Sequence, residues 1–347
     1  MEQKQRSLKI DALRCMMNLF IVFHHAGFPW MWGYASNFDN KVAEWLSKIS
    51  WSLPTLFCLS GYLMFKGFSR ETCKGKVWNR VKRLAVPLYL VNWAIVLFVL
   101  AGQFLGHNFG DKYDFSWYVK RVLCISEGTG FPPLWYVRTL LIYMLPAPII
   151  FLVLRKKLGA FLLLGVSIAW CLLSTYFGFD RKLWMVAPSY SMVAYIFGGI
   201  LAVNGKDICN FAYKYWPAGL ALYLGGLIST IFVVKYQYNG ILCAMQCIFW
   251  FSLAPLFERF MKFKTFKFLG SCAFFIYVVH VNMQWAGSGR ILGFAFKSLP
   301  PGVLGYPGAF LASLFLFFVF NLLSCSALWV ILCRLCPWLA RTLNGRL

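Results

Sequence analysis

Ten stretches of this chain run for close to twenty residues each with almost no charge, and this patterning constrains the fold more than any other feature. They cover residues 10–28, 49–65, 84–105, 134–154, 158–177, 184–203, 215–234, 238–257, 266–286 and 306–333. About 20 apolar residues in an α-helix cross the hydrocarbon core of a bilayer, where every backbone polar group must be satisfied within the protein. Composition agrees, since 60% of the 347 residues are hydrophobic and only 13% are charged. That is about half the charged share that solvates an ordinary globular surface. The sequence predicts an all-α, polytopic integral membrane protein of about ten transmembrane helices and excludes a soluble enzyme. No Ser/Gly/Pro-rich or charge-dense linker divides the chain, so residues 1–347 are expected to form one membrane domain with no appended soluble domain.

The charges sit between these stretches. Against 11 acidic residues stand 34 basic ones, a formal charge of +23. When loops are assigned alternately to the two sides, 22 basic residues fall on the side of both termini and 10 on the other, with Arg14 and Arg138 inside stretches. The positive-inside rule therefore predicts that both termini are cytoplasmic, with a basic face toward anionic lipid headgroups. Nucleic acid is excluded as a partner, because no polar domain exists to present a basic surface. Twelve cysteines lie mostly in apolar runs, where Cys behaves as a small hydrophobe. Cys333 and Cys336 form one C-x-x-C without a second pair beside it, so no metal is expected.

Ionisable groups inside a span are costly, and they mark where function is sought: Asp11, Arg14, His24, His25, Arg138 and His280. Arg14 and His25 are eleven residues apart, close to three full turns, so they share one helix face with a rise of about 16 Å between them. His24 points to another side. Two readings stay open for the first stretch: a functional pair, or an arginine that snorkels to the inner headgroups below an interfacial histidine. Arg138 is a second intramembrane cation or an interfacial one, and His280 is a site residue or a structural hydrogen-bonder. His107 is given no role.

Several short segments, in this order along the chain, resemble acyltransferase family 3. Arg14 followed ten residues later by His25 resembles that family's arginine and histidine signature. Leu56-Phe57-Cys58-Leu59-Ser60-Gly61-Tyr62-Leu63 resembles its aromatic Ser-Gly element, with Cys58 where an aromatic or aliphatic residue is commoner. Arg80-Val81-Lys82-Arg83-Leu84 with Pro87 resembles its basic element, Leu134-Trp135-Tyr136-Val137 its Leu-Trp element, and Tyr277-Val278-Val279-His280 its late Tyr-x-x-His. The resemblance runs from residue 8 to about 335 and implies a membrane O-acyltransferase of the bacterial cytoplasmic membrane. Such a protein moves an acyl group, most often acetyl, from cytoplasmic acyl-CoA to a hydroxyl of a cell-envelope or lipid-linked carbohydrate.

The resemblance also implies roles. His25 serves as general base or as a covalent acyl relay, two variants that the sequence does not separate. Arg14 binds donor phosphates or fixes the surroundings of the histidine, and Asp11, three residues earlier, orients Arg14. Arg80, Lys82 and Arg83, with Lys74 and Lys76 nearby, are expected to draw in the acetyl-CoA headgroup. Ser60 and Gly61 act in donor access or as a small pair for close helix packing. Trp135 lines the donor path, and Arg138, Tyr277 and His280 line the site. Two competing classes remain at this stage: a glycan or lipid transporter or flippase, although no inverted repeat is evident, and a structural subunit of an envelope assembly. The sequence is silent on oligomeric state.

Overall fold

The computed structural model describes residues 8–26, 52–106, 114–124, 134–177, 188–232, 245–284 and 307–346. Among these residues the chain is helical, with no strand. The helices are α1 (Leu8–Ala26), α2 (Leu53–Phe65), α3 (Cys73–Phe104), α4 (Phe115–Val122), α5 (Leu134–Met144), α6 (Ala147–Leu154), α7 (Lys157–Tyr176) and α8 (Ser189–Val203). There follow α9 (Ile208–Lys214), α10 (Trp216–Phe232), α11 (Cys247–Ser252), α12 (Ala254–Phe260), α13 (Lys264–Ser271), α14 (Ala273–Met283), α15 (Pro307–Leu335) and α16 (Pro337–Leu343). Each apolar stretch read from the sequence overlaps at least one of them.

Among the described residues three helices, α3, α7 and α15, are long and apolar enough to cross a membrane, and up to six spans result if each bent pair counts as one, against the ten expected from the sequence. The bent pairs are α5–α6 at 63°, α8–α9 at 104° and α13–α14 at 77°. The first break falls where Pro146 has no N–H to continue the ladder. The second follows Gly205, whose φ of +66° is the left-handed stop typical of a helix end, after which the Asp207 side chain accepts from the Asn210 N–H at 2.9 Å and starts α9. Lys4, Arg6, Lys41, Lys48, Lys112, Arg181, Lys182, Lys235, Arg290, Lys297 and His107 lie outside the described residues.

Packing inverts the pattern of a soluble protein. Phe98, Phe161 and Phe315, on the three long helices, are exposed, and the polar residues turn inward. The polar helix α1 is the hub: it packs against α2, α12, α13, α14 and α15. Its Leu13 and Met17 are fully buried, and the Ser52 hydroxyl donates to the Met17 carbonyl at 3.0 Å.

The tightest contact joins α2 to α8. A Cβ on Gly61 would overlap the carbonyl oxygen of Tyr195, and one on Gly198 would overlap that of Cys58, so the two backbones touch without side chains between them. Apolar side chains gain little from leaving lipid, and small residues that let backbones approach supply the contact instead.

The carboxyl-terminal turn clasps the α13–α14 break. Asn344 accepts from the Phe275 N–H at 3.1 Å and donates to the Ser271 carbonyl at 2.7 Å, while Arg346 donates to the same carbonyl at 2.8 Å. Pro87 removes the donor that would have bonded to the Arg83 carbonyl within α3, and Gly345 packs close to that oxygen.

Candidate active site

The hub helix carries three charged residues, Lys9, Asp11 and Arg14, on its first three turns. Asp11 and Arg14, one turn apart, form an ion pair at 3.8 Å. The Arg14 guanidinium also lies within electrostatic range of Arg80 on α3, which in turn feels Arg83. Arg80 is half-buried, so these cations converge at the edge of the bundle rather than spreading over a solvated loop. Lys82 belongs to another face: it is exposed, with its ammonium 4.7 Å over the Trp78 ring.

From this cationic cluster a run of hydroxyls and rings leads inward. Arg14 is within electrostatic range of the Tyr136 hydroxyl. That hydroxyl donates to the Leu56 carbonyl at 3.3 Å and lies 3.0 Å from Ser60 Oγ, which leaves Ser60 as the donor between the two hydroxyls. The two residues of the Ser60-Gly61 pair thus divide the readings: Ser60 faces the polar path, and Gly61 makes the helix contact. Trp135 is buried against Phe57, with ring centroids 6.0 Å apart, and Phe57 meets the Tyr136 ring edge-on at 4.7 Å. Tyr136 then meets Tyr277 of α14 at 5.6 Å, and Tyr277 is 6.1 Å from His280.

At the inner end two imidazoles face each other. His25 and His280 have ring centroids 5.1 Å apart, with their planes inclined by 48°. His280 is fully buried and His25 nearly so. His280 Nδ1 lies 2.8 Å from the Tyr277 carbonyl and 3.2 Å from that of Ile276; because carbonyls only accept, Nδ1 carries the proton. Gln284, one turn beyond His280, donates to the His25 carbonyl at 2.8 Å and ties the end of α1 to α14. His24 lies edge-on to His25 at 5.1 Å and is only half-buried.

The structure therefore brings Asp11, Arg14, Ser60, Arg80, Tyr277, His25 and His280 onto one connected path, with Trp135 behind it. Arg138 sits apart from it. Buried on α5, Arg138 donates to the Cys124 carbonyl at 3.4 Å and so joins α5 to the end of α4. Arg121, between the third and fourth apolar stretches, is buried on α4 with its guanidinium 5.2 Å over the Trp117 ring. Among the described residues no group of three or more His, Cys, Asp or Glu is placed to hold a metal ion.

Gln284 and the Tyr136 hydroxyl were not singled out from the sequence. Gln284 had a signal, a polar residue one turn after His280 in an apolar run. The hydroxyl of Tyr136 had none, because its importance depends on Ser60, 76 positions away.

Comparison with curated proteins and with solved structures returns no match for this chain. A family model described as an acyltransferase domain matches residues 7–330, a span that contains every residue of the path from Asp11 to His280. The chain therefore belongs to acyltransferase family 3.

Proposed function

We propose that this protein is a membrane O-acyltransferase that moves an acyl group, most simply acetyl, from cytoplasmic acyl-CoA to a hydroxyl of a cell-envelope or lipid-linked carbohydrate. The observation that carries the reading is the continuous path from the Arg14 and Arg80 cations, past Ser60, Tyr136 and Tyr277, to His25 and His280. Like charges held together at a half-buried edge favour a polyanion, and the phosphates of CoA supply one. The rise of about 16 Å from Arg14 to His25 along α1 then suits a ligand with a charged head and a long thin arm, whose thioester arrives at the imidazoles.

In this mechanism a ring nitrogen of His25 takes the proton of the acceptor hydroxyl as its oxygen bonds to the thioester carbonyl carbon. The carbon–sulfur bond breaks, and the departing thiolate receives the proton from His25. The protons of Ser60 and Tyr136 are engaged with each other and with the Leu56 carbonyl, and the remaining oxygen lone pairs are the acceptors these hydroxyls offer along the arm. A bacterial cytoplasmic membrane, ten crossings and cytoplasmic termini complete the proposal, since only that orientation gives the basic edge access to cytoplasmic acyl-CoA.

The test uses inverted membrane vesicles, labelled acetyl-CoA and native envelope glycans. Label that enters lipid-linked or glycan material with the wild type and not with His25→Ala supports the reading. Equal labelling by both proteins removes His25 from the chemistry. Absence of transfer from acetyl, succinyl and longer acyl-CoA donors alike returns the transporter class to the front.

A further inference from the structure

We propose that His280 is a positioning residue for the base: its Nε2 lone pair accepts the ring N–H of His25, so that the opposite nitrogen of His25 stays bare and directed at the acceptor hydroxyl. The inference rests on the reading of His25 as general base and adds a second histidine that acts through the first.

Three observations support it. The tautomer of His280 is fixed, because Nδ1 faces the carbonyls of Tyr277 and Ile276 and must carry the proton. Nε2 is then an acceptor, and this fully buried atom has no hydrogen-bond partner among the described residues. A buried polar atom left without a partner is costly and is expected to serve a purpose. The ring beside it is His25, at a centroid separation that allows a nitrogen of one ring to come within hydrogen-bond distance of the other.

The arrangement follows the logic of base and orienter in acyl transfer, in which a third group holds the imidazole in one tautomer and stabilises the imidazolium that forms. A carboxylate usually fills that place. In a membrane interior a buried carboxylate would be expensive to ionise, and a neutral imidazole with one fixed proton does the same orienting work without a full charge. As the acceptor hydroxyl gives its proton to His25, positive charge builds on that ring, and its other N–H strengthens its bond to His280 Nε2. When the proton passes on to the CoA thiolate, both rings return to their starting states. Gln284 holds the backbone of His25 from the same helix, so α14 orients the base through both its main chain and its ring.

The test compares His280→Phe, which keeps a ring and removes the acceptor, with His280→Gln, which places an amide oxygen near the position of Nε2. Both are assayed for acetyl transfer in membrane vesicles. Expected for His280→Phe is a fall in kcat of about a hundredfold or more, with KM for acetyl-CoA within about threefold of wild type. His280→Gln is expected to recover at least about tenfold of that loss. Equal activities of the two variants, or a loss confined to KM, overturn the proposal. Should His280→Phe fail to accumulate, His280→Gln decides alone: substantial kcat with unchanged KM supports it, and a loss as deep as that of His25→Ala overturns it. An active wild type with an unimpaired His280→Phe sinks this inference and leaves the proposed function standing, whereas an inactive wild type sinks both.

Discussion

Gln284 Nε2 donates to the carbonyl oxygen of His25 at 2.8 Å, joining residues 259 positions apart at the end of the hub helix. The carbonyl belongs to the last described turn of α1, and the amide brings it a donor from α14. The end of α1 is thereby held at the position that sets His25 against His280.

Replacing Gln284 with Leu is expected to leave that carbonyl without its donor at a cost of about 1–3 kcal/mol. The end of α1 then moves relative to α14, and transfer falls by about ten- to a hundredfold, because small misplacements of a catalytic group are costly. Thermal unfolding in detergent reads the first effect and vesicle transfer the second. Wild-type transfer by Gln284→Leu would show that this bond does not position His25.

Arg14 and Arg80 share one anionic ligand under the proposed function. Arg14→Ala or Arg80→Ala is expected to raise KM for acetyl-CoA more than it lowers kcat. One charge-assisted bond contributes about 1.5–3 kcal/mol, or roughly ten- to 150-fold. Lys82→Ala, whose parent side chain turns to Trp78, is expected to change KM by less than about threefold. Steady-state kinetics on the three variants checks the order, and a Lys82 effect as large as that of Arg80 would move the donor site outward.

The α2–α8 contact tolerates no side chain. Gly61→Ala and Gly198→Ala place a methyl group against a backbone carbonyl, and each is expected to destabilise by about 1–3 kcal/mol or more, because backbone cannot swing aside as a flexible side chain does. Gly165→Ala on the exposed face of α7, where a Cβ meets nothing within 4 Å, serves as the control. It is expected to be neutral or slightly stabilising. Melting temperatures in one detergent rank the three, and a loss at Gly165 equal to that at Gly61 would contradict the packing argument.

Asn344 bridges both sides of the α13–α14 break. Asn344→Ala removes the acceptor for the Phe275 N–H and one of two donors to the Ser271 carbonyl, with Arg346 retaining the other. The expected cost is about 1 kcal/mol, the ordinary size of a lost helix cap. Because α14 carries Tyr277, His280 and Gln284, the variant is expected to lose some activity at temperatures where it is still folded. Vesicle transfer measured against temperature reads this; a profile that superimposes on wild type would separate the clasp from the site.

The all-helical membrane class was legible in the sequence because lipid imposes it locally: each uncharged run satisfies its own backbone and needs no partner to be recognised. The same locality made Arg14 and His25 readable as one helix face, since periodicity along a single helix is a property of neighbouring residues. The breaks at Pro146 and Gly205 also had local signals. Other features depended on residues far apart in the chain. Nothing near Tyr136 announces Ser60, and nothing near His25 announces Gln284 or His280. The sequence by itself determined which apolar stretches hold helices and which polar groups lie along them. Tertiary structure alone decided which of those groups meet, because the meeting depends on how α1, α2, α5 and α14 pack across the bundle, and that packing rests on backbone contacts such as Gly61 against Tyr195, which no single helix contains.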